Sequence, residues 1–96
     1  MIYVIARAEV KPGCFEEYMK ALEKLVPAVR SEEGCVGYEP CGDLKVEGEE
    51  RFVTIIEMWE SEAHWRQHMS APHMAEFRAT AGPLRVGNTV YAVKPV

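Results

Sequence analysis

The segment RFVTIIEMWE, residues 51–60, limits the folds open to this chain more than any other. Read with the two-residue period of a strand, it puts Val53, Ile55 and Trp59 on one face and Phe52, Ile56 and Met58 on the other. The opening segment IYVIARAEV does the same, with Tyr3 and Ile5 opposite Val4, Ala6 and Ala8. A sheet with helices on one face and water on the other alternates apolar and polar residues, and these strands do not. Both faces therefore require cover. A 96-residue chain has helix enough for one face only. The economical expectation is a homodimer in which a second copy packs sheet to sheet.

The remaining segments supply the other elements. Lys11-Pro12-Gly13 is a turn signal that ends the first strand. Phe15, Tyr18, Met19, Leu22, Leu25, Val26 and Val29 then recur at helical intervals, with Glu16, Glu17, Lys20, Glu23 and Lys24 on the opposite side. Pro27 removes one backbone donor, which predicts a kink or a loosened last turn before Gly34. CVGYEPC, residues 35–41, reads as a short strand that Pro40 confines to a sheet edge or an irregular end. A polar loop with Gly42, Asp43 and Gly48 leads into the 51–60 strand.

Ser61 can cap a helix running through His64, Trp65, His68 and Met69 to a break at Ser70-Ala71-Pro72. Pro72 suits the first turn of a second short helix carrying Met74, Phe77 and Ala81, which Gly82-Pro83 ends. VGNTVYAVK, residues 86–94, is a fourth strand. The order β-α-β-β-α-β is the ferredoxin-like α+β plan with an antiparallel sheet, expected as one domain over residues 1–96.

Composition narrows the partners. The formal net charge is −4 and Lys and Arg are scattered singly, so there is no basic footprint for nucleic acid or an anionic membrane. No stretch has the length and apolarity to span a bilayer, and the N-terminus is charged too early for a signal peptide, so the cytoplasm is the expected location. Cys14, Cys35 and Cys41 are odd in number and lack CxxC spacing, the pattern of reduced thiols. Cys14 stands where a helix begins, but no histidine lies nearby in sequence to act as its base.

All three histidines, His64, His68 and His73, fall within ten residues. His64 and His68 are one helical turn apart, compatible with two metal ligands and His73 or Glu57 as a third. The stretch lacks the internal Glu of HExxH and any thiolate in register, so no metal is expected. His64, nearest the helix start, reads equally well as a solvated surface residue. His68 falls beside Trp65 and Met69 on the helical wheel, toward the sheet, where an imidazole bordering an apolar cavity is a candidate general base. Glu57 and Trp59 share the strand face that looks toward the same helices. They read either as an ion-pairing group and a core anchor, or as pocket walls in which Trp59 stacks on a flat substrate and Glu57 orients an imidazole.

The stretches IYVIARAEVKPG, EEGCVGYE (32–39) and IIEMWESEAHWRQHMSAPHM (55–74) together resemble the antibiotic biosynthesis monooxygenase family, especially its bacterial quinol monooxygenase branch. The resemblance implies a dimeric α/β barrel with facing sheets and one cavity per subunit between sheet and helices. It also implies oxygenation of quinols, anthrones or other electron-rich phenols without flavin, haem or metal, the deprotonated substrate passing an electron to O₂. Trp59 matches the cavity tryptophan of several members. His68 and His73 match histidines shared by the quinol branch and by a relative that processes a phosphorylated quorum-sensing signal. Glu57 and His64 match the quinol branch more narrowly. Haem-degrading members carry an Asn on the first strand where Ala6 stands here, so haem degradation is not implied.

The expected function is thus cofactor-independent oxidation of a quinol or polycyclic phenol by O₂. His68, His73 and Glu57 would do the proton chemistry, and Trp59, His64 and Trp65 would contact the substrate. Two alternatives stand beside it: isomerisation or degradation of a small phosphorylated signal, and a non-catalytic dimer that binds a small aromatic molecule. A phosphate needs cationic donors, for which Arg7, Arg66, Arg78 and Arg85 are the candidates.

Overall fold

A computed structural model describes residues 1–44 and 50–96; the loop expected around Gly48 lies outside the described residues. Strand β1 (Ile2–Val10) leads into helix α1 (Phe15–Arg30), then β2 (Cys35–Gly42) and β3 (Phe52–Trp59). Helices α2 (Glu62–Met69) and α3 (Pro72–Ala81) follow, and a short 3₁₀ turn (Gly82–Leu84) precedes β4 (Arg85–Val93). The four strands form one antiparallel sheet in the order β2-β3-β1-β4. This is the ferredoxin-like α+β architecture, with β1 and β3 central and Pro40 on the edge strand β2, where its missing N–H leaves no ladder bond unmade.

Helix α1 buries Tyr18, Leu22, Leu25 and Val29 against the sheet, a stripe at helical spacing. Pro27 does not end it. The helix keeps one further turn to Arg30, and the Glu32 N–H closes on the Val29 carbonyl at 2.9 Å, a tightened three-residue bond. At Gly34 the backbone has φ +84°, and a β-carbon there would overlap the His64 ring on α2. Glycine is needed twice over, for the left-handed turn and for the close approach. The contact seats the α1–β2 turn against the start of α2.

The helix-facing side of the sheet contributes Val4, Ala8, Val10, Val53, Ile55 and Trp59 to the core. The opposite face divides in two. One half is apolar and uncovered: Tyr3, Ile5, Ile56, Tyr91 and Val93 are all exposed. The other half is polar, because Arg7 donates to both Asp43 carboxylate oxygens at 3.0 and 2.9 Å and to Thr54 Oγ1 at 2.7 Å while lying 4.4 Å over the Phe52 ring. Phe52 is therefore roofed within the chain, and the open apolar surface is narrower than the strand pattern alone implies.

A second copy of the chain is the proposed cover for that apolar half. Sedimentation at micromolar concentration is expected to give twice the 10.9 kDa of one chain. Ile56→Lys is expected to shift the species to one chain with its far-ultraviolet dichroism intact. Wild-type protein sedimenting as a single chain contradicts the proposal.

Candidate active site

Local sequence rules place the site residues. Ser61 caps α2 by accepting from the His64 N–H at 3.2 Å, and Glu62 sits in the first turn, where a negative charge suits the helix dipole. From that start the last turn of the eight-residue helix carries His68 inward, with 1% of its surface exposed. Pro72 opens α3 at its first position, where a missing N–H leaves no bond unmade, and His73 follows it. The two-residue period of β3 delivers Ile55, Glu57 and Trp59 to the helices, and Tyr38 of β2 lies opposite Glu57 in the ladder.

These elements bring together a chain of polar groups. His68 Nδ1–H donates to Glu32 Oε2 at 2.8 Å, and His73 Nε2–H donates to the same oxygen at 2.8 Å. On the other side of the imidazole, His68 Nε2 stands 3.8 Å from Glu57 Oε1, too far for a hydrogen bond. Glu57 Oε1 accepts instead from the Trp59 indole N–H at 2.9 Å. The Trp59 and His68 rings pack with centroids 4.6 Å apart. The chain runs from His73, 29% exposed at its side chain, to Trp59, which has no exposed surface.

Burial sets the protonation of the inner members. It pushes the Glu57 carboxyl up to about 7, partly opposed by the Trp59 hydrogen bond and helped by the Glu32 charge. Burial likewise holds His68 below the ordinary imidazole value, opposed by its hydrogen bond to Glu32. Burial also raises the Tyr38 phenol far above its usual range, so it stays protonated, and it raises the Cys35 thiol, which makes that sulfur a poor nucleophile.

Glu57 and His68 line a cavity of about 90 Å³ between sheet and helices. Val4, Ile55, Met74 and Phe77 make much of its apolar wall, Trp65 contributes its ring, and Arg78, Arg85 and Asn88 add polar groups.

Several sequence expectations are corrected by this geometry. Trp59 offers no face to the cavity, because its N–H is held by Glu57 and its ring lies against His68; it is an anchor beneath the imidazole and not a stacking platform. His64 is not a pocket residue: its ring covers Gly34 and its Nδ1 lies 2.7 Å from Ser61 Oγ. Glu57 does not orient the imidazole; Glu32 does. His73 sits outside the cavity wall and reaches His68 only through Glu32.

Glu32 is the residue that sequence reasoning missed. It lies in the turn after α1, 36 residues from His68, and no local spacing links the two. Among the described residues the one group able to hold a metal ion is Glu32, His68 and His73, with ligand atoms within 4.8 Å of one another, and not the His64–His68 pair. Both of its imidazole nitrogens already share one carboxylate oxygen.

The Glu57 environment has a measurable consequence. A carboxyl whose folded value of about 7 exceeds its unfolded value binds its proton more tightly when folded, so its contribution to stability is complete below the unfolded value and is lost as pH rises toward 7. Glu57→Gln, permanently neutral, removes that loss. Relative to wild type, the variant is expected to gain stability between pH 5 and pH 8, by on the order of 1–3 kcal/mol. Paired thermal melts check this; a difference that does not change with pH contradicts it.

The family model described as "Antibiotic biosynthesis monooxygenase" matches residues 1–80. The chain is 34% identical over 84 residues to the Escherichia coli protein named "Probable quinol monooxygenase YgiN", covering 80% of this chain and 81% of that one. It is 33% identical over 79 residues to YcnE of Bacillus subtilis, covering 82% and 80%. In fold it is similar to a conserved protein of Methanosarcina mazei, with a TM-score of 0.89 at 24% identity over 97% of this chain and 90% of that one. A Nitrosomonas europaea protein gives 0.91 at 14% identity over 100% and 99%. Sequence match and fold agree: this chain belongs to the antibiotic biosynthesis monooxygenase family.

Proposed function

We propose that the chain is a cofactor-independent monooxygenase that oxidises a quinol or related electron-rich phenol with O₂, with His68 as the general base. One observation carries the reading. His68 is a buried imidazole whose Nδ1–H is fixed on a carboxylate, which leaves the Nε2 lone pair directed away from Glu32, on the side where Glu57 and the cavity lie. The names of the relatives agree with it.

The chemistry needs little more. Triplet oxygen reacts slowly with closed-shell molecules, so the substrate must first become an anion able to donate one electron. His68 Nε2 takes the hydroxyl proton, and Glu32 stabilises the resulting imidazolium through the 2.8 Å bond. The apolar wall keeps the phenolate from being solvated, which preserves its reducing power. One oxygen atom then enters the ring and the other leaves as water, the ring itself supplying the electrons and protons for both, so that a quinol leaves as a hydroxylated quinone. Glu57, with its value near 7, can hold a substrate oxygen as a hydrogen-bond donor in its neutral form.

A screen of quinols with oxygen consumption as readout tests the reading, and consumption of O₂ with none of them contradicts it. With the best quinol, His68→Ala is expected to lower turnover by about 10² to 10⁴. Turnover should fall on the acid side as His68 takes a proton, at a pH below the ordinary imidazole value. Glu32→Gln removes the bond that favours the imidazolium, so it should cost turnover and move that acid limb lower still. Turnover should survive chelator, and elemental analysis should find less than stoichiometric zinc, iron or copper. Wild-type turnover in His68→Ala, or metal at one equivalent per chain, overturns the mechanism.

A further inference from the structure

The arginines of this chain fall into two groups. Arg7, Arg30, Arg51 and Arg66 each hold a carboxylate, on Asp43, Glu39, Glu9 and Glu62, at distances from 2.7 to 3.5 Å. Arg78 and Arg85 hold none among the described residues, and these two line the cavity. Arg78 spends one nitrogen on the Met69 carbonyl at 2.7 Å, and Arg85 lies close to the Tyr18 phenol. Asn88 adds an amide beside them. Trp65, also in the wall, carries the one buried side-chain polar atom among the described residues that lacks a hydrogen-bond partner, its indole N–H. The cavity is thus supplied with donors and positive charge, with Glu57 as its one carboxylate.

Size points the same way. The space of about 90 Å³ is smaller than the roughly 150 Å³ cavity that holds a benzene molecule, so a ring seated at His68 must extend beyond it. Asn88 and Val90, on the exposed edge strand β4, mark the open side of the cavity. We infer that the natural substrate is a single-ring phenol carrying an oxyanion, a carboxylate or a phosphate, that is bound by Arg78 and Arg85 while its hydroxyl meets His68. Two guanidiniums can chelate such a group through charge-assisted bonds, and a neutral quinol leaves both without an anionic partner. The inference names the substrate class of the proposed oxygenase site and rests on that reading for the phenolic end.

Anaerobic titration calorimetry measures binding apart from turnover. The probes are hydroquinone, 2,5-dihydroxybenzoate and 4-hydroxyphenyl phosphate. One or both anionic rings are expected to bind about tenfold or more tighter than hydroquinone, and the tighter of the two identifies the oxyanion. Arg85→Gln should erase most of that preference, weakening the anionic rings far more than hydroquinone. Arg78→Gln should do the same, and because Arg78 also holds the end of α2, Arg85→Gln carries the test if that variant does not fold. Equal binding of all three rings, or a preference that survives Arg85→Gln, overturns this inference and leaves the oxygenase reading intact. Failure of all three to bind overturns both.

Discussion

The hydrogen bond from His68 to Glu32 is the interaction on which the site depends. An imidazole with 1% of its surface exposed is costly to bury unless its polar atoms find partners, and a buried donor left unpaired costs about 1–3 kcal/mol. Glu32 removes that cost and fixes the ring at the same time. It selects the tautomer, because a carboxylate accepts and Nδ1 must then carry the proton. The bare Nε2 is left on the opposite side, where the cavity is. A second imidazole, His73, shares the Glu32 oxygen and ties the start of α3 into the arrangement.

Features that look unrelated support this bond. Glu32 lies in the short turn between α1 and β2, and its position follows from where that turn sits. Gly34 lets the turn press against His64, and the Glu60 N–H donates to the Gly34 carbonyl at 2.9 Å, so the turn is fixed to both α2 and the end of β3. His64 is then a packing residue that acts at a distance from the cavity. Trp59 plays the matching part from the sheet, its ring against His68 and its N–H on Glu57. Two carboxylates and an imidazole packed this closely oppose folding electrostatically, the kind of local conflict that accumulates at functional sites.

The fold was legible in the sequence because it is written in local periods. The stripe Tyr18, Leu22, Leu25, Val29 and the alternation in β3 each report a face within one element, and Ser61, Pro72 and Gly34 mark boundaries by backbone chemistry alone. Pro27 was harder: its cost falls on one hydrogen bond, and packing of Val29 keeps the helix going past it. The site was legible only where its members share an element. His68 facing the sheet and Glu57 beside Trp59 follow from helix and strand periods. Glu32 comes from a turn, where no period exists, and joins His68 across 36 residues. His64 misled for the opposite reason, since its spacing from His68 is right for one helix face but the turn at Gly34 occupies its ring.

The central claim is that His68 is a neutral imidazole with its proton on Nδ1 and its Nε2 free. Long-range nitrogen–proton correlation spectra of protein labelled at histidine nitrogens report the state directly, with His68→Gln assigning the resonance. The account requires the Nδ1–H tautomer at pH 7, ionising below the ordinary imidazole value. An Nε2–H tautomer, or an imidazolium at pH 7, contradicts it.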